Sequence, residues 1–368
     1  MVTFDEFGPE KILEVYDARA GMRGIVCLDN LSLGPGKGGI RMTPTVSKEE
    51  VFRLARTMTW KNALSTLPFG GAKSGIIADP GKFDIKKKKE IVEAFADALK
   101  VISPSLYIAA PDINMGEKEM GWYYKKNGSK KSVTGKPKEY GGLPHELGST
   151  GFGVYMSLLV AAQFAKLNLP TSTVAIEGFG NVGWFVAKYL SKKCKNIVAI
   201  SDSRGVIYNK DGLDFEKLAH VKQKEGSVIN YKPGEVLTSN NILDINADIL
   251  VTAAIPDLIK ESDIDRLKFK MIVEGSNIAM TPEVENLIYK KGILVVPDFV
   301  ANAGGVISSY VEYIGGSEKK MFKMIEEKIT KNTKSVLQLA KNKKIMPRDA
   351  AMEIAVKIVR RYCKVCSI

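Results

Sequence analysis

Histidine is nearly absent. The 368-residue chain has two, His145 and His220, and neither stands in a motif, so both read as ordinary surface or loop residues and histidine is not the expected base. Cysteine is also sparse, at four. Cys27 and Cys194 are isolated, and Cys363 and Cys366 form a CxxC with no second ligand pair, so a reduced C-terminal tail is expected rather than metal or redox chemistry. No run of about 18 apolar residues could cross a bilayer. The opening "MVTFDEFGPEKILEVYD" has neither a basic n-region nor an apolar h-region, which reads as a cytoplasmic chain without a membrane partner. Acidic residues are outnumbered 41 to 54, giving a formal charge of +13. The excess falls on helix-like stretches such as "IKKKKEIVEAFADALK", without interleaved aromatics, so a solvated lysine-rich surface is expected and no nucleic-acid partner. Such a charge can also attract small carboxylates.

What the chain has is an ordinary globular composition, 45% apolar and 26% charged, in a length of 368 that calls for two domains. "MRGIVCLDN" reads as a strand, as does the run after "GPGKGG". "SKEEVFRLARTMTWKNALSTL" has helical spacing, with Ser47 and Glu50 placed as a capping box. Strand and helix then alternate through "KSGIIADP", "DIKKKKEIVEAFADALKVI" and "SLYIAAPD" to a helix from about Gly116. A long helix from about Gly148 opens a second region, whose runs "TVAIE", "NIVAISD", "ADILVTAAI", "FKMIVEGSN" and "GILVVPD" resemble buried parallel strands. Beyond Gly315 the pattern is helical. The expected class is α/β in two domains. The boundaries predicted are 1–145, 146–312 and 313–368, with hinges near 140–150 and 300–315.

Gly178, Gly180 and Gly183 form G-x-G-x-x-G directly after a strand and directly before a helix, the context in which this motif cradles a dinucleotide. The first glycine permits the turn, the second admits the pyrophosphate to the backbone, and the third lets helix and strand pack. The anion then rests on the helix N-terminus near Asn181 and Val182. Asp202 ends the next strand, about 20 residues on, where a carboxylate meets the adenosine ribose. Asp202 favours NAD. Ser203 and Arg204 follow it, and an arginine there can take the 2′-phosphate of NADP, so the choice stays open.

Three lysines stand out: Lys37 in "GPGKGGIRM", Lys61 in "MTWKNA" and Lys73 in "PFGGAKSG", together with Asp112 in "AAPDINMGEKEMG". With "VTGK" at Val133, "STGFGV" at Ser149, the "GFGNVG" loop, "EGSN" at Glu274 and "ANAGGVISSYVE" at Ala301, the chain resembles the glutamate, leucine, phenylalanine and valine dehydrogenase family over nearly its whole length. The resemblance implies an N-terminal substrate domain completed by the C-terminal helices, with a Rossmann domain between. It implies reversible oxidative deamination of an L-amino acid to a 2-oxo acid and ammonia, with NAD or NADP and no metal. It also implies a homo-oligomer, with a hexamer the first choice. Carried over, Lys61 holds the substrate α-carboxylate, Lys73 is the catalytic lysine, Asp112 moves protons, and Thr150, Asn277 and Asn302 line the nicotinamide and substrate.

The residue types suit that chemistry. The substrate must lose a proton from nitrogen and a hydride from carbon, and water must then attack the iminium. A lysine acts as a base only when neutral, a state favoured by burial and by neighbouring cations, here Lys61 and Lys37. The glycines around Lys73 are expected to let substrate approach it. Within the family, a lysine at Lys37 and a serine at Ser309 are the glutamate-type grip on a side-chain carboxylate, so L-glutamate is expected. A branched-chain amino acid is the alternative, because the N-terminus before "GPGKGG" is brief. His145 and Glu146 stand where the pattern has Gly-Arg, Asp257 where it has asparagine, and Ser74 where it has glycine. A nucleotide-binding sensor that has lost the reaction, and a basic nucleic-acid-binding protein, are the competing classes.

Overall fold

A computed structural model of the chain describes residues 2–194, 196–363 and 366, with the side chain of His145 outside the description. The chain divides into two compact units. The first is Met1–Leu147 with Val306–Met321 and Met352–Ile368, and the second is Gly148–Gly305 with Phe322–Ala351. Of the helical tail, Val306–Met321 and Met352–Ile368 fall in the first unit and Phe322–Ala351 in the second.

In the first unit the elements run β1 (Lys11–Asp17), β2 (Met22–Asn30), β3 (Gly36–Thr43), α1 (Lys48–Leu64), β4 (Gly70–Ile77), α2 (Ile85–Ala98), β5 (Tyr107–Ala110) and α3 (Glu117–Asn127). The sheet order is β1-β2-β4-β3-β5, with β3 parallel to β4 and β5, and β2 antiparallel to β1 and β4. Side chains alternate across it. Val26, Leu28, Ile40, Met42, Ala72 and Ile76 pack with Phe95 of α2 on one face. Ile25 and Cys27 face Val51 and Ala55 of α1 on the other. Helix α1 starts as predicted, with Ser47 Oγ accepting from the Glu50 N–H at 3.2 Å. The Glu50 carboxylate, expected to complete the box, turns to Arg41.

The second unit holds α4 (Ser149–Phe164), β6 (Thr173–Glu177), α5 (Asn181–Leu190), β7 (Asn196–Asp202), β8 (Gly205–Tyr208), α6 (Phe215–Glu225), β9 (Glu235–Leu237), β10 (Ile249–Thr252), β11 (Met271–Glu274), α7 (Pro282–Lys290), β12 (Leu294–Val296) and α8 (Asp298–Ala301). Three helices follow: α9 (Gly304–Tyr313), α10 (Glu318–Lys343) and α11 (Pro347–Tyr362). The sheet order is β12-β11-β10-β6-β7-β8-β9. The first five strands are parallel, as their uninterrupted apolar runs predict, and β8 and β9 add an antiparallel edge. Strand order reverses about β6, so its carboxyl end is the crevice where doubly wound sheets take ligands.

Cys363 and Cys366 are joined in a disulfide, their Cα atoms 5.3 Å apart, where a reduced tail was expected. Two cysteines three positions apart, with Cα atoms this close, lie within bridging range. Among the described residues no helix is long and apolar enough to cross a membrane.

Candidate active site

Lys37, Arg41 and Lys73 project from the α1 face of the first sheet, because alternation sends Ile40, Met42 and Ala72 to the opposite core. Asp112 follows β5 and reaches that face. Lys73 and Asp112 form an ion pair, and Arg41 Nη2 lies 3.4 Å from the other carboxylate oxygen. Burial alone would raise the Asp112 pKa. Lys73, Arg41 and the Ile113 N–H, 2.7 Å away, outweigh it and hold the carboxyl below the usual carboxylate range. Lys61 is half-buried in the last turn of α1, the helix that packs on this face.

The glycines around Lys73 have a different use from the one expected. A methyl group on Gly71 would lie 2.0 Å from Thr59 Oγ1 and 2.5 Å from the Ala55 carbonyl; one on Gly75 would meet Val46 at 2.5 Å. They let α1 and its entry loop lie directly on β4, and that contact leaves no room for substrate. Ser74, on the opposite face, hydrogen-bonds Tyr107 Oη at 2.8 Å, which a glycine could not do.

Lys37 is the lysine most altered by its surroundings. It is 2% exposed, its Nζ reaches the Ala109 carbonyl at 3.4 Å, and among the described residues it stands in no ion pair. Burial pushes its pKa down to about 7. Lys136 and Lys73 add to the fall, and Glu312 opposes it. Lys136 and Glu312 are the functional neighbours that sequence reasoning passed over. Lys136 Nζ lies 2.5 Å from Glu312 Oε1, and the same carboxylate accepts the N–H groups of Gly135 and Leu143 at 2.9 and 3.0 Å. Glu312 lies on α9 one turn beyond half-buried Ser309, so it pins that helix to the loop after "VTGK". The lysine of that motif was the only signal.

The second unit carries the other predicted residues. Gly178 has φ 92°, a turn few side chains tolerate, and a methyl on Gly183 would lie 1.9 Å from the Gly178 carbonyl. Around Gly180 nothing lies within 4 Å of such a methyl, and α5 begins there without a side-chain cap. This bare helix N-terminus beyond the switch-point strand suits a pyrophosphate. Glu177, missed in the sequence, is buried and accepts from the N–H groups of Ala253 and Ala254 at 2.9 and 3.0 Å, fixing the loop against which Gly178 packs. Asp257, at the end of that loop, has φ 49°, a conformation that asparagine and aspartate both tolerate.

Thr150, Asn277 and Asn302 come together. Asn302 Nδ2 donates to Asn277 Oδ1 at 2.9 Å, and a methyl on Gly305 would lie 3.0 Å from Thr150 Oγ1. Asn302 is 5% exposed, yet its Oδ1 has no hydrogen-bond partner among the described residues. A buried acceptor left open fits the carboxamide of a nicotinamide. Asp202 is more committed than predicted. Its carboxylate takes Lys222 Nζ at 2.7 Å, Ser227 Oγ at 3.0 Å, and the N–H groups of Val228 and Arg204, both at 2.9 Å. These donors outweigh burial and lower its pKa. Ser203 and Arg204 are exposed beside it, as is His220 on α6.

Residues 141–365 match the glutamate/leucine/phenylalanine/valine dehydrogenase family, and residues 9–128 match that family's dimerisation domain. The chain belongs to this family. Among its relatives, a glutamate dehydrogenase of Aeropyrum pernix is 40% identical over 353 residues, covering 91% of this chain and 84% of its own. An NADP-specific glutamate dehydrogenase of Saccharolobus shibatae is 38% identical, covering 97% and 89%. Among solved structures, a hetero-hexameric glutamate dehydrogenase of Thermus thermophilus superposes with a TM-score of 0.86 at 26% identity, over 98% of this chain and 90% of its own. The family accounts for the motifs in both units.

Proposed function

We propose that the protein catalyses the NAD(P)-dependent, reversible oxidative deamination of L-glutamate to 2-oxoglutarate and ammonia. One observation carries the choice of substrate: Lys37 is buried in a cation-rich site without a carboxylate of its own. Glutamate supplies that carboxylate, with Ser309 as a second donor. A branched-chain side chain would leave Lys37 buried and unpaired, forgoing that ion pair. Relatives named as glutamate dehydrogenases support the same reading.

Lys61 holds the α-carboxylate and orients the substrate. Asp112, kept ionised by Lys73 and Arg41, takes the proton from the substrate nitrogen. A nicotinamide held by Thr150, Asn277 and Asn302 would supply the acceptor for the hydride lost from Cα. Lys73, having released its own proton to solvent, removes a proton from the water that attacks the resulting iminium, and Asp112 gives the departing ammonia the proton it took from the substrate nitrogen. Gly178, Gly180, Asn181, Val182 and Gly183 hold the pyrophosphate; Thr150, Asn277 and Asn302 hold the carboxamide end. Because Lys222 offsets the Asp202 charge and Arg204 stands exposed beside it, we assign the site to both NAD and NADP. A homo-hexamer is the proposed assembly, by analogy with the hexameric structural relative; light scattering checks it.

The test is a substrate panel read at 340 nm with both cofactors. Glutamate is expected to give the highest kcat/KM. A higher value for leucine or valine would overturn the assignment, and no turnover of any amino acid would favour a nucleotide-binding sensor.

A further inference from the structure

The "EGSN" run contributes Asn277 to the site, but the proposed mechanism leaves Glu274 unused. Glu274 is fully buried at the end of β11. With Glu285 of α7 and Asp298 of α8, also buried, it surrounds a single arginine, Arg348, in the first turn of α11. Arg348 Nη2 lies 2.8 Å from Glu274 Oε2, Nη1 lies 3.3 Å from Asp298 Oδ1, and Nε donates to Glu285. The guanidinium also stands 5.7 Å over the Phe299 ring. Only a planar fork with five donors can serve three carboxylates at once. Burial and mutual repulsion push Glu274 well up and Glu285 up, and Arg348 opposes both rises.

Two of the three carboxylates also hold backbone on the nicotinamide side. Glu274 Oε2 accepts the Asp298 N–H at 2.9 Å, and Asp298 Oδ2 accepts the Ile278 N–H at 3.0 Å. The Asp298 carbonyl accepts the Asn302 N–H at 2.8 Å. Asn277 and Asn302 are thereby fixed from both sides, through residues adjoining each. Among the described residues the Glu285 carboxylate has no such backbone link.

We propose that Arg348 is a positioning residue for hydride transfer: by tying Glu274 to Asp298 it sets the Asn277–Asn302 pair that receives the nicotinamide carboxamide. This rests on the family reading of those two asparagines. Arg348 touches neither substrate nor cofactor, and the adenosine and pyrophosphate ends are held elsewhere. Its loss should therefore spoil the alignment of the ring more than the binding of the cofactor.

The experiment compares Arg348→Gln, Arg348→Lys and Glu285→Gln with the wild-type enzyme. It reads kcat, the dissociation constant of reduced cofactor from its fluorescence, and the primary isotope effect on kcat with 2-deuterated glutamate. Arg348→Gln is expected to lower kcat at least tenfold and to raise the isotope effect, with cofactor affinity within threefold. Arg348→Lys should fall between, and Glu285→Gln should stay within twofold of wild type. A folded Arg348→Gln with wild-type kcat and isotope effect overturns the proposal. So does a loss of kcat that only follows a loss of folded protein, with the isotope effect unmoved. If Arg348→Gln does not fold, Arg348→Lys decides on the same terms, and failure of both to fold assigns Arg348 to stability and overturns positioning. Wild-type enzyme without glutamate turnover sinks the functional reading; active wild type with normal variants sinks only this inference.

Discussion

Around Lys37 in the first unit, three lysines and an arginine share their surroundings with three carboxylates, Glu50, Asp112 and Glu312, while around Arg348 in the second, one arginine serves three buried carboxylates. Both arrangements place charge out of water, where an unmatched ion is costly. They resolve it differently. The carboxylate-rich cluster shares Arg348 among all three of its members, although Glu274 Oε1 and Glu285 Oε1 find no hydrogen-bond partner among the described residues. The cation-rich cluster drives Lys37 toward neutrality and stays one carboxylate short, which suits a site awaiting a dicarboxylic substrate. A buried charge cluster is therefore informative through what it lacks.

The comparison breaks most sharply at Lys73 and Asp112. Lys73→Ala is expected to cut turnover by about 10³-fold or more while cofactor affinity, measured by fluorescence titration, stays within threefold. Turnover within tenfold of wild type would remove Lys73 from the chemistry. Next in size, Lys37→Met should lower kcat/KM for glutamate by about 10²-fold and at the same time stabilise the protein. The sign follows from the protons bound. The folded value is about 7 against an ordinary 10.5, so between those values the unfolded chain holds a proton that the folded one has shed. The penalty is full below pH 7 and is relieved as pH rises toward 10.5. Urea titration should therefore show Lys37→Met more stable by about 3–5 kcal/mol at pH 6.5, the gain shrinking in alkali. No gain at pH 6.5 would mean that Lys37 is not penalised by burial.

Two glycines that look alike in sequence sharpen the contrast between support and site. Gly71→Ala should cost about 1–3 kcal/mol of stability, because its methyl collides with α1. Gly180→Ala should leave the melting temperature unchanged and raise the cofactor KM about tenfold, because its methyl enters open space that the proposed pyrophosphate would occupy. The reverse pattern would exchange their roles. Smallest of all, Glu274→Gln should change the unfolding free energy by about 1 kcal/mol or less, since burial and the neighbouring carboxylates favour the uncharged form of Glu274, which an amide resembles. A loss of several kcal/mol would show that Glu274 is ionised.

Much of this was legible in the chain because local pattern carries it. The parallel strands are uninterrupted apolar runs, the Ser47 cap sits beside its helix, and the glycine fingerprint stands between strand and helix. β1, β8 and β9 were missed because "VIY" and "EVL" are too short to show a period, and "KILEVYD" was read only for the absence of a leader. Lys136 with Glu312, and Arg348 with its three carboxylates, bridge between 50 and 176 residues of sequence, so nothing beside them signals the pairing. The role of Gly71 was misread for the same reason: whether a glycine faces substrate or a helix is decided by tertiary contact.

The most direct test of a site short of one carboxylate is the proton count on binding. Calorimetry of glutamate binding at pH 8, repeated in buffers of different ionisation enthalpy, should show uptake approaching one proton as Lys37 recharges against the side-chain carboxylate, and little uptake with leucine. Equal uptake with both ligands, or none with glutamate, would contradict it.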